Sequence, residues 1–74
     1  MDILSTLQKQ LNVTYISDLK NVLIKRDAVL AILDVQDLYE LRELEYGLNY
    51  ILESDAHYET LTDLIKFIRQ MYCR

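Results

Sequence analysis

Proline and tryptophan are absent from the 74 residues, glycine occurs once (Gly47), and cysteine and histidine occur once each (Cys73, His57). Each absence excludes something. Without Pro and with a single Gly, the residues that punctuate hairpins and tight turns are missing, and a Gly-rich phosphate loop cannot be built. One Cys has no partner in the chain, so neither a disulfide framework nor a Cys-based metal cluster is available, and a reducing compartment is expected. A lone His rules out a paired-His metal site. At opposite ends of the last apolar stretch, His57 and Cys73 would stand too far apart on one helix to act as a nucleophile and its base. No apolar run approaches the length of a membrane span, and no basic region leads into an apolar one at the start, so a soluble, cytoplasmic protein is expected. These gaps point away from an enzyme: no catalytic residue, cofactor, metal or small-molecule substrate is expected.

What is present favours helix. Leu and Ile outnumber Val among apolar residues that make up 51% of the chain, and Glu, Gln, Lys and Arg are frequent. Seventy-four residues make one domain, near the size at which a single core barely offsets conformational entropy. So large an apolar share on so small a chain leaves side chains to cover a second copy or a partner, and a homodimer is expected.

The net charge of −4 is unevenly spread. Residues 34–59 carry Asp34, Asp37, Glu40, Glu43, Glu45, Glu53, Asp55 and Glu59 against Arg42 alone, whereas the flanking segments are weakly basic. The acid therefore coincides with the strongest helical pattern, DVQDLYELRELEYGLNYILES at 34–54. At about 100° per residue, Leu38, Leu41, Leu44, Leu48, Ile51 and Leu52 share one face, and Tyr39, Tyr46 and Tyr50 share the opposite one. A helix spanning residues 35–53 is expected, with Gly47 on its flank where a missing side chain admits a neighbouring helix.

Around it the pattern predicts a short helix over 2–11 capped by Asp2, and a connection at 12–15 where Asn12, Val13 and Thr14 weaken helix. A second helix is expected over 17–33, capped by Ser17. Leu19, Val22, Leu23, Val29, Leu30 and Leu33 share its face, with Arg26 in the middle of them. Two accounts of Arg26 compete. The helix stops near Lys25 and Arg26 and restarts at Asp27, or, as favoured here, it continues while the Arg26 stem crosses the apolar face to reach an acid of the central helix. The wholly apolar stretch 28–33 marks turns surrounded by protein. Asp34 and Asp37 interrupt the apolar phase, so the chain is expected to break there, with Asp34 capping the central helix. The stretch 54–57 should close that helix, with Ser54 or Asp55 capping the last one. In the last helix Tyr58, Leu61, Leu64, Ile65, Ile68, Met71 and Tyr72 share a face, and His57 is a solvated residue of its first turn. The fold expected is all-α: a small antiparallel bundle of three main helices plus a short N-terminal one, dimeric.

For function, the Tyr side of the central helix carries most weight. Tyr39, Glu40, Glu43, Tyr46, Tyr50 and Glu53 set aromatic rings among carboxylates. Tyr is enriched at interfaces because it offers large area, few rotors and a polar tip. The competing account is that other helices of the same chain cover these rings. The favoured reading is a protein-interaction module, a regulator or inhibitor that docks this face on a basic surface of another protein. A degenerate helix-turn-helix within residues 9–26 is the alternative, carried by the letters LNVTYISDLK and by Lys9, Lys20, Lys25 and Arg26. The acidic balance and Asp18 speak against nucleic acid. A structural homo-oligomer subunit is the third possibility.

Overall fold

The computed structural model describes residues 2–72, and among them every regular element is helical. Four α-helices follow in order, α1 (Ile3–Leu11), α2 (Lys25–Asp34), α3 (Leu41–Leu52) and α4 (Leu61–Tyr72), with 3-10 turns at Ile16–Lys20 and Gln36–Leu38.

The first helix begins and ends as its sequence dictates. Asp2 accepts the Ser5 N–H at 2.9 Å, and Asn12 stops the helix in the left-handed conformation at φ 55°. Gln8 then donates to the Thr14 carbonyl at 2.8 Å and folds the chain back on itself.

The long second helix expected over 17–33 is not formed, for a local reason. Ser17 lies inside a 3-10 turn instead of capping a helix; the Asp18 carboxylate accepts the Tyr15 N–H at 3.0 Å and holds that turn. Asn21 then ends it. Its side-chain oxygen accepts the Leu23 N–H at 2.9 Å, while its carbonyl accepts from Ile24 and Lys25. An Asn side chain bonded to the backbone two residues on competes directly with helix. Helix α2 therefore restarts at Lys25, two residues before Asp27. Arg26 sits in its first turn, exposed, with no ion pair to α3 among the described residues. Both accounts of Arg26 given above are thereby corrected.

The break after α2 lies where the two acids interrupt the apolar phase, but its chemistry differs from expectation. Asp34 ends α2 and accepts from the Gln10 side chain at 3.0 Å, and α3 starts only after Glu40. At the other end Glu53 closes α3 in the left-handed conformation at φ 53°. Residues 54–60 run without helix, and Thr60, not Ser54 or Asp55, accepts the Asp63 N–H at 3.2 Å to start α4.

The core is one cluster. Ile3, Leu4 and Leu7 of α1, Leu19 of the first 3-10 turn, Val29 and Ile32 of α2, Leu44, Leu48 and Ile51 of α3, and Leu64 and Ile68 of α4 are buried together. Of the apolar stretch 28–33, Ala28, Val29, Ala31 and Ile32 are buried, while Leu30 and Leu33, expected on the buried face, are half-buried. That helix, and not α3, is the hub: α1, α3, α4 and both 3-10 turns all pack on it. Small Ala28 and Ala31 let its neighbours approach. Cys73 lies outside the described residues.

Candidate interaction surface

Helix α3 presents its Leu seam inward and leaves Arg42, Glu43, Tyr46 and Glu53 exposed along its outer side. The six side chains expected to form one surface divide into three groups. Tyr46 stands free, 59% exposed, with Glu43 a turn before it. Glu40 is exposed as the N-cap of the helix. Tyr50 is half-buried against the core, and the Lys20 ammonium lies 5.0 Å from its ring centroid and 3.7 Å from the Glu53 carboxylate. The third group is Tyr39 alone. It precedes the helix, packs against the core and shares a hydrogen bond with Thr6 of α1. Its ring is half-buried and turned toward α1, because α3 starts two residues later than a common Tyr face requires. The strip is therefore Glu40, Glu43, Tyr46, Tyr50 and Glu53, with Lys20 laid across one end.

A polar cluster on the flank of α3 was not singled out from the sequence. Glu45 accepts the Tyr58 N–H at 2.8 Å and meets Arg42 at 3.2 Å and His57 Nδ1 at 3.3 Å. Arg42 also donates to the Tyr58 carbonyl at 3.2 Å. The Glu45 carboxyl is held below its ordinary pKa, first by the Tyr58 N–H, then by the His57 and Arg42 charges, with desolvation opposing. Desolvation, with the Glu45 charge adding, raises the Tyr58 phenol. One turn on, Asn49 donates to the Ala56 carbonyl at 2.8 Å and accepts from Ser54 and Ala56. Glu45 and Asn49, at i and i+4, thus pin residues 54–58 to the helix. His57 is a latch residue in that segment, not part of a helical first turn. The i, i+3 spacing of Arg42 and Glu45 was the available signal; that both would reach a later segment was not.

A second surface arises where the expected helix failed. Val22 and Leu23, placed on a buried face by the sequence pattern, are 83% and 85% exposed at the tip of the Asn21 turn. After the half-buried Ile24 come Lys25, half-exposed, and Arg26, exposed. Leu38, assigned to the Leu seam, is also exposed, in the 3-10 turn before α3. The stretch 9–26 holds the end of α1, a five-residue 3-10 turn, this tip and the first two residues of α2, so two whole α-helices of a helix-turn-helix are not present there.

Compared with family models, curated proteins and solved structures, the chain shows no significant match.

Proposed function

We propose that the protein is a small non-enzymatic interaction module, a regulator or inhibitor that docks the acidic, Tyr-bearing strip of α3 onto a basic surface of another protein. One observation carries this: Tyr46 stands exposed on α3, with Glu43 a turn before it and Glu53 at the helix end, and the helix is anchored by the buried Leu44, Leu48 and Ile51 beneath it. An aromatic ring on an ordered backbone loses little entropy on docking, and surrounding carboxylates steer a cationic partner toward it. The module works in the cytoplasm as a homo-oligomer, with α2, α3 and α4 arranged as antiparallel neighbours under the strip.

The test is affinity capture from native lysate with the parent and with Glu43→Lys/Tyr46→Ser as baits. A basic protein retained by the parent, released by moderate salt and lost with the variant is the expected result. Identical proteins on both baits would overturn the reading.

A further inference from the structure

The exposed tip at Val22 and Leu23 adjoins the acidic strip, and the two have opposite chemistry. Lys20 fixes their relation. Its ammonium lies on Tyr50 and Glu53 at the C-terminal end of α3. Chain geometry holds Val22 within about 7 Å of Lys20, Cα to Cα. Lys20 thus links an apolar, basic end (Val22, Leu23, Lys25, Arg26) to an acidic, aromatic one (Tyr46, Glu43, Glu40). From Glu53 back to Glu43 is about 15 Å of helix.

We infer that this surface is self-complementary and that its occupant is a second copy of the chain, bound about a two-fold axis near Tyr46 with the two α3 helices antiparallel. A two-fold contact pairs each patch with the other patch of the second copy. Antiparallel α3 helices bring the C-terminal end of one strip over the N-terminal end of the other. The tip of each copy, which flanks the C-terminal end, then meets the partner's Glu40 and Glu43. At the axis the two Tyr46 rings meet, Val22 and Leu23 pack beside the N-terminal end of the partner's α3, and Lys25 and Arg26 face its carboxylates. The proposal deepens the interaction reading above, since the basic surface that the strip fits is on the chain itself.

Charge exchange tests it. Surfaces of this size form weak pairs, so association is read by analytical ultracentrifugation from about 10 μM to about 1 mM. The parent is expected to dimerise over this range. Lys25→Glu/Arg26→Glu and Glu40→Lys/Glu43→Lys should each weaken self-association at least tenfold. An equimolar mixture of the two should restore the dimer, because both contacts of the mixed pair are again between opposite charges. Val22→Ser/Leu23→Ser should be monomeric with an unchanged melt, its side chains being exposed already. A parent that stays monomeric overturns the inference, as does a mixture that fails to pair. So does a monomeric parent that sediments with phosphatidylserine vesicles through Val22 and Leu23, which would assign the tip to a bilayer. Lysate capture separates the two proposals. A monomeric parent whose basic partner is still lost with Glu43→Lys/Tyr46→Ser removes self-pairing alone. Charge exchange that restores the dimer, with identical proteins on both baits, removes the foreign partner alone.

Discussion

Ile3 packs on the bare backbone of Gly47: a Cβ added at Gly47 would lie 3.1 Å from Ile3 Cδ1 and 3.2 Å from its Cγ2. This is where α1 meets α3. The glycine that costs α3 about 1 kcal/mol of helix propensity relative to Ala is the one that admits the α1 side chain. Gly47→Ala sets that gain against overpacking of similar size. The atoms to be displaced are the ends of one side chain, so a net change within about 1 kcal/mol is expected. In an Ile3→Val background, which removes Cδ1, the same substitution should be more favourable. Additive effects of the two changes in a thermal-melt cycle would show that the contact is not tight.

Leu44 and Leu48 are wholly buried at the centre of the cluster. Leu44→Asp or Leu48→Asp places an unpaired charge there, at a cost of several kcal/mol, comparable with the whole stability of so small a domain. Loss of the helical circular dichroism signal and of a cooperative melt is the expected result; a preserved melt would mean that the seam is not the core.

Tyr46 and Tyr50 should separate. The Tyr46 ring is exposed, so Tyr46→Ser should leave the melt within about 0.5 kcal/mol of the parent. The Tyr50 ring packs on the core beneath Lys20, so Tyr50→Ser should cost about 2 kcal/mol. Equal effects in denaturant titrations would contradict this division of the strip.

Glu45 gives the domain an acid-sensitive latch. Its folded pKa lies below the ordinary value, so the unfolded chain binds the proton more readily than the folded one. The stabilisation is complete above the ordinary carboxylate pKa and is lost as pH falls through the lowered one. In Glu45→Gln, the amide oxygen can still accept the Tyr58 N–H while the charge is gone. That variant should melt with a shallower dependence on pH between about 3 and 5 than the parent. Glu45→Ala should lose the latch at every pH, seen as faster amide exchange at Tyr58. Superimposable pH profiles for the parent and Glu45→Gln would remove Glu45 from this role.

Residue spacing and capping alone set the helical character of the chain, the start of α1 at Asp2, a break in the region of Asp34 and Asp37, and the inward face of Leu44, Leu48, Ile51, Leu64 and Ile68. Periodicity and capping are local. They act within a turn or two of the same segment, so residue spacing records them. Local signals also misled. Val22 and Leu23 match a helical face, yet the Asn21 side chain satisfies the backbone there in another way, and the two residues end as an exposed tip. Tyr39 matches the Tyr side of α3, yet α3 begins only after Glu40, and its ring turns inward to Thr6. That α2 is the hub, that Lys20 lies on Tyr50 and that Glu45 holds residues 57 and 58 follow from how the helices pack. These relations join residues far apart in the chain, and what brings them together is the joint burial of four apolar stripes. That burial fixes which helix faces which, and the polar side chains pair with whatever it places beside them.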